Sequence, residues 1–269
     1  MSDLTSRYPV NAEQFAQFDE QGFIVLPEVL SAQTLREYEP EITSKVFELN
    51  TQHLPVEKRA TAAQRATLQV MNLWQHSDRV REFVFSLRLA QLAADLLGVQ
   101  AVRLYHDQAI YKEPGGGISP WHADQYYWPL SSDRTCSIWI PLQDTPLEMG
   151  PLSFAVGSHD ITVGRDMPVS HESEARMQQV LSERHVPIYE EPFALGDASV
   201  HLGWTFHRAG PNATTIPRKA MVIIYMEADI TVTAPNAGQQ GDADLWLPGV
   251  PAGAVPASPM TPVLTGAAT

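Results

Sequence analysis

The chain has 269 residues, 44% of them hydrophobic and 18% charged, with a formal net charge of −13. Such a composition describes a globular protein with a sizeable core and excludes a disordered or fibrous chain, although the length alone fits one large domain or two small ones. The acidity argues against non-specific attraction to nucleic acid or an anionic membrane, both of which need a basic patch.

Cys136 is the only cysteine, so no internal disulfide forms and no oxidising compartment is implied. The opening stretch lacks the basic and apolar regions of a leader, and no apolar run approaches the roughly 18 residues of a membrane span. A cytoplasmic protein, monomer or homodimer, is expected.

In chain order, Asn11 can cap a helix over "AEQFAQFDEQ" that Gly22 closes, "FIVLP" reads as a short strand, and Ser31 can cap "AQTLREYEPEITSKVFEL". Pro40 is expected to kink or interrupt that second helix. A further amphipathic helix is predicted from about Asp78 to Leu97, with Val80, Phe83, Val84, Leu87 and Leu92 at helical spacing and Gly98 as its stop. After Gly98 the texture changes to short β-branched and aromatic runs separated by Gly, Pro, Asp and Ser. Eight strands are predicted: "AVRLYHDQAIYK", the segment around "ISPWHAD", "RTCSIWIPLQ", "GPLSFAVG", "HVPIYEE", "ASVHLG", "HRAG" and "RKAMVIIYMEA". That density suggests a β-sandwich or barrel. The polar stretch from Ser158 to Arg184 reads as an excursion with a helix in its second half, and with "EPGGG" it is a candidate lid. Beyond Ala234 the chain is rich in Ala, Gly and Pro, and Trp246, Leu247 and Leu264 suggest that it packs back onto the body. The expected organisation is a single domain: a helical part at about 1–98, a β core at about 99–230, and a returning tail at about 231–269.

The segment "SPWHADQYYWPL" concentrates chemistry. In a strand, His122 and Asp124 project to one face, and an imidazole beside a carboxylate supplies two ligands of a two-His-one-carboxylate iron site. A single H-x-D in a chain with nine histidines is equally readable as an exposed or core-satisfied polar pair. A third ligand has to come from another strand, and "HLGWTFHRAGPN" offers His201 and His207. In the last strand Arg218 shares a face with Ala220, Val222, Ile224 and Met226. A charge on an apolar face needs a partner, so Arg218 asks either for an anion inside the barrel or for a protein carboxylate. Arg208, next to His207, is expected to point away from that ligand.

H-x-D, a distal His and an Arg eleven residues further on resemble the phytanoyl-CoA dioxygenase family of iron(II) and 2-oxoglutarate dependent oxygenases. The resemblance extends over "FDEQGFIVLPEVLSAQTL", "HDQAIYKEPGGGISPWHADQYYWP", "GPLSFAVGSH" and "FHRAGPN". It implies a mainly β fold, a double-stranded β-helix or jelly roll of the cupin-like kind, flanked by helices. It further implies that His122, Asp124 and His207 bind iron, that Arg218 holds the distal carboxylate of 2-oxoglutarate, and that Gln108 and Trp139 line the cosubstrate pocket, with dioxygen as co-reactant. Ala209 stands where the family often carries a hydroxyl that helps bind the cosubstrate. With Asp124 present, halogenation is disfavoured, and hydroxylation of a small, largely apolar metabolite is the expected reaction. Desaturation and ring formation remain open, as do a non-catalytic jelly-roll binder and a zinc hydrolase on the same barrel. Tyr126, Tyr127 and Trp128 are candidates to wall the substrate pocket, while His106 and His201 read as core histidines and His159 as a turn residue.

Overall fold

The computed structural model describes residues 3–60 and 62–265. Helix α1 (Ala12–Gln21) opens with a capping box, in which the Asn11 side chain accepts from the Gln14 amide and the Gln14 side chain accepts from Asn11. Gly22 ends it at φ 78°, and a Cβ there would also run into the His159 ring and Thr205, so conformation and close approach both demand glycine. Strand β1 (Phe23–Leu26) follows, then α2 (Ala32–Leu49) capped by Ser31. Contrary to expectation, α2 runs through Pro40 without a break. Pro40 and Arg36, whose carbonyl loses its partner, are both exposed, so water can serve that carbonyl. Leu35, Tyr38, Ile42 and Val46 meanwhile bury the other face.

The predicted helix from Asp78 to Leu97 is two. After α3 (Ala62–Ala66) and β2 (Leu68–Met71), α4 (Asp78–Val84) stops, and α5 (Leu87–Leu97) restarts from Ser86. The Ser86 hydroxyl accepts from the Leu89 amide and donates to the Leu4 carbonyl at 3.0 Å. A serine that caps cannot also continue the preceding helix.

All eight expected strands form: β3 (Val102–Lys112), β4 (Ser119–His122), β5 (Thr135–Pro141), β6 (Leu152–Ala155), β7 (Ile188–Glu190), β8 (Ala198–Leu202), β9 (His207–Ala209) and β10 (Arg218–Glu227). They make two antiparallel sheets, β1-β8-β5-β10-β3-β2 and β4-β9-β6-β7, facing each other as a jelly roll. Strand β2 escapes sequence reading because "LQVM" is only four residues long and joins the sheet at an edge.

Alternation along β10 divides the core as expected. Met221, Ile223 and Tyr225 pack outward under the helices with Leu89 and Leu92, whereas Ala220, Val222, Ile224 and Met226 face the second sheet with Leu152 and Phe154. The excursion carries α6 (His171–Glu183), whose Met177 and Val180 pack with Trp121 and Phe206 against the small sheet. The tail does return. Helix α7 (Gln240–Trp246) buries Trp246 in the inter-sheet core, and the Leu264 amide donates to the Val102 carbonyl at 3.0 Å. Among the described residues, no helix is long and apolar enough to cross a membrane.

Candidate metal and cosubstrate site

Ladder register explains how distant residues meet. His122 on β4 and His207 on β9 are direct register partners in the small sheet, with ring centroids 4.2 Å apart. One ladder row of the facing sheet runs His106–Ile224–Ser137–His201–Phe23, across β3, β10, β5, β8 and β1. Two residues along, the next inward-facing row holds Gln108, Val222 and Trp139. Arg218 closes this side of the sheet, four residues beyond Val222 and opposite Lys112.

Asp124 is not on the iron strand as expected. Strand β4 ends at His122, and Asp124 begins a 3-10 turn, Asp124–Tyr127. Ala123 is still extended, at φ −123° and ψ 130°, so alternation persists for one more residue and the carboxylate comes round to the imidazoles. Asp124 Oδ1 lies 3.7 Å from the Nε2 atoms of both His122 and His207. Ligand atoms from these three side chains all lie within 4.8 Å of one another. Two donors 3.7 Å apart can each approach a shared ion to about 2.1 Å, an ordinary metal–nitrogen distance.

The tautomers also suit an ion. His122 Nδ1 is 2.7 Å from the Pro120 carbonyl and His207 Nδ1 is 3.0 Å from that of Thr205. Each Nδ1 therefore carries the proton and leaves an Nε2 lone pair facing the cavity. Burial, and for His122 the neighbouring His207, lower both imidazoles to about 4. Burial alone would raise the Asp124 carboxyl, but the His207, His201 and His122 imidazoles outweigh it and hold Asp124 well below the usual carboxylate range. The donor set is thus one anion and two neutral imidazoles. Asp124 Oδ2 is restrained separately: it accepts a hydrogen bond from Ser137 Oγ at 2.8 Å and lies 3.4 Å from His201 Nε2, off the hydrogen-bond axis. Of the two histidines the sequence offered, His207 faces both His122 and Asp124, whereas His201 meets the carboxylate at its far oxygen and packs against the His207 ring, with centroids 4.4 Å apart.

Arg218 is 1% exposed, and burial lowers its guanidinium to about 10. Nη1 donates to the Gly150 carbonyl at 2.6 Å, while Nε is buried with no partner. Among the described residues no carboxylate lies within ion-pair distance, so the protein-carboxylate explanation for Arg218 fails. Arg208 does take such a partner, Glu174 at 2.7 Å on α6, as its position beside His207 required.

The triad and Arg218 share a cavity of about 360 Å³, which Gln108, Trp139, Val222, Leu152 and Ala209 also line. Tyr127 and Trp128 wall it, but Tyr126 lies in a separate groove with Arg165 and Trp204. Of the two candidate lids, "EPGGG" does not reach the cavity, and the excursion contributes Val169, whose amide donates to the Tyr127 hydroxyl at 2.9 Å.

Sequence reasoning missed Ser137, although it shares a strand face with the nominated Trp139. It also missed Lys112 and Asp242. Lys112 is fully buried, and its Nζ donates to the Gly117 and Gly210 carbonyls at 2.6 and 2.7 Å and to Ser119 Oγ at 3.3 Å. Burial and the nearby Arg218 and Arg208 lower Lys112 to about 6.

Comparison with known proteins places the chain in a family. Residues 18–220 match the phytanoyl-CoA dioxygenase family, and the chain belongs to it. Members of this family of non-haem iron dioxygenases use iron(II), 2-oxoglutarate and dioxygen. The probable alpha-ketoglutarate-dependent hypophosphite dioxygenase of Stutzerimonas stutzeri is 24% identical over 229 residues, 81% of this chain and 79% of that protein. Ectoine dioxygenase of Nocardia farcinica is 24% identical over 249 residues, 85% and 82% of the two chains. Among solved structures, the epimerase SnoN in complex with Fe3+, alpha ketoglutarate and nogalamycin RO superposes with a TM-score of 0.76 at 26% identity, covering 93% of this chain and 96% of SnoN. The carbocyclase SnoK from nogalamycin biosynthesis shares the fold, with a TM-score of 0.77 at 23% identity over 95% of this chain and 97% of SnoK.

Proposed function

We propose that His122, Asp124 and His207 hold one iron(II) ion, that Arg218 receives the distal carboxylate of 2-oxoglutarate, and that the enzyme hydroxylates an unactivated C–H bond of a small, largely apolar metabolite. The observation that carries this reading is the buried, unpaired Nε of Arg218 in the cavity that also holds the triad. A guanidinium without a protein anion is costly, and a dicarboxylate reaching from it toward the triad removes that cost. When bound, iron with 2-oxoglutarate and dioxygen supplies the oxidant that removes a hydrogen atom from the substrate, with release of succinate and carbon dioxide.

This chain's residues orient and exclude. With Nη1 turned to Gly150, the Nε–Nη2 edge of Arg218 is left as a two-donor fork for a carboxylate. Gln108 and Trp139 stand in the row between Arg218 and the triad, and flank the cosubstrate. Ala209 offers no hydroxyl there, so the anion depends on Arg218. A cavity of about 360 Å³ sits at the small end of ligand pockets, roughly 300–1,000 Å³, and the cosubstrate occupies part of it. The substrate is therefore small, and Tyr127 and Trp128, on the turn that begins with Asp124, favour an apolar body.

The same hydrogen removal can end without oxygen return, and the likeness to the epimerase SnoN keeps that outcome in view. Mass spectrometry of a metabolite mixture incubated with iron(II), oxygen and the enzyme, with and without 2-oxoglutarate, tests the reading. A product heavier by one oxygen atom is expected. One lighter by two hydrogen atoms would mean desaturation or ring closure, and the absence of any 2-oxoglutarate-dependent product would reject the assignment.

A further inference from the structure

The tail contributes a charged group to this cavity. Asp242, on α7, lines the cavity together with His106, at the end where the His106–Ile224–Ser137–His201 row crosses the sheet. Arg218 lies six residues away from Ile224 along β10, about 20 Å at the usual strand rise. Helix α7 is seated there by its aromatic residue, with the Trp246 and His106 ring centroids 5.2 Å apart. Asp242 is poorly partnered. Its Oδ2 accepts one long hydrogen bond, from the Tyr105 hydroxyl at 3.3 Å, the Trp246 indole N–H lies beside the carboxyl without good hydrogen-bond geometry, and no cation lies within ion-pair distance of it among the described residues. Burial, with Asp124 adding to it against the pulls of Tyr105 and Trp246, raises Asp242 to about 6, so it is still mostly ionised at neutral pH.

A carboxylate taken out of water without a counter-charge is expensive. Asp124 shares the cavity, but three imidazoles surround it. Asp242 has only uncharged donors beside it, Tyr105 and Trp246, with Tyr127 nearby, and Trp128 and Val169 also line the cavity. An apolar pocket with one convergent acceptor orients a ligand by a single donor.

Building on the iron-site reading, we infer that Asp242 is a specificity-determining residue, accepting a hydrogen bond from a hydroxyl or ammonium group on an otherwise apolar substrate at the cavity end remote from Arg218. The substrate class is then an alicyclic or aliphatic alcohol or amine. A bare hydrocarbon or an ether leaves the carboxylate unpaired and is rejected. The tail becomes part of the active site, and the reacting C–H bond is chosen by its distance from that donor.

Three probes of matched size separate the possibilities: cyclohexylmethylamine, cyclohexylmethanol and methoxycyclohexane, titrated calorimetrically into the protein loaded with Mn(II) and 2-oxoglutarate, which binds without turning over. The amine or the alcohol should bind at least about tenfold more tightly than the ether, as expected for a hydrogen bond to a charged group. Asp242→Leu should abolish that preference. Asp242→Asn, which keeps an acceptor but no charge, should weaken the amine at least tenfold and the alcohol at least about threefold. It decides the matter if the leucine variant does not fold. Which donor probe binds more tightly distinguishes an amine substrate from an alcohol. Equal binding of all three probes, no binding of either donor, or a preference unchanged in both variants overturns the inference. Binding of 2-oxoglutarate itself, measured in the same titrations, reports separately on the iron-site reading: its absence condemns that reading, whereas its presence with equal probe binding condemns only the role of Asp242.

Discussion

Replacing Arg218 with Met should move stability and cosubstrate affinity in unrelated ways, because the guanidinium is buried for a ligand and not for the fold. In the ligand-free protein it makes one hydrogen bond, to the Gly150 carbonyl at 2.6 Å, and has no carboxylate partner. Its removal leaves that carbonyl unpaired at about 1–3 kcal/mol, but it also relieves a desolvated charge worth several kcal/mol. Arg218→Met should therefore melt at or above the wild-type temperature. Bound 2-oxoglutarate would lose two charge-assisted bonds at about 1.5–3 kcal/mol each, a drop in affinity of roughly two to four orders of magnitude. Arg218→Lys should fall between, since a point charge cannot reproduce the fork. Calorimetric titration of 2-oxoglutarate with Mn(II), beside thermal melts with and without it, reads both quantities. A methionine variant that binds 2-oxoglutarate within threefold of wild type, or that melts well below it, would refute the reasoning.

Lys112→Met should behave oppositely and lose about 2–4 kcal/mol in urea melts, because three acceptors are stranded, two of them backbone carbonyls; a neutral or stabilised variant would contradict this. Ser137→Ala frees Asp124 Oδ2 from its 2.8 Å restraint and should weaken metal binding about 10–100-fold with little change in melting, as Mn(II) titration would show. The metal-free protein should lose stability as pH falls from about 6, below which Lys112 is charged in both the folded and unfolded states, to about 4. His106, His122 and His207 stay neutral in the fold down to about 4, held there first by burial, yet protonate near 6.5 once unfolded. Burial raises Asp107 to about 7 and Asp242 to about 6, and these work in the other direction, since the folded state then holds protons that the unfolded chain releases. Three against two leaves a slope of roughly 1 kcal/mol per pH unit, and urea melts showing flat or rising stability on acidification would disprove that balance.

Short-range patterns were readable wherever a local rule decides the structure. Asn11, Ser31, Gly22 and Gly98 mark helix ends because capping needs only neighbouring residues. The alternation in β10 placed Arg218 inside before any contact was visible. The failures share a cause in what lies across the fold. Ser86 ends a helix partly because its hydroxyl reaches the Leu4 carbonyl, and Pro40 is tolerated because its turn of α2 faces water while the opposite face is buried. The two side chains of H-x-D do come together, but not from one strand, since Asp124 already belongs to the following turn. Neither Ser137 nor Asp242 carries a motif. Their relevance comes from ladder register in one case and from the docking of α7 in the other.

A single titration under argon tests the central claim most directly: iron(II) added to wild-type protein and to Asp124→Ala and His207→Ala, with bound metal counted after desalting. One tightly held ion per chain is predicted for the wild type, with neither variant retaining it. Undiminished iron in both variants would show that these side chains do not share a metal.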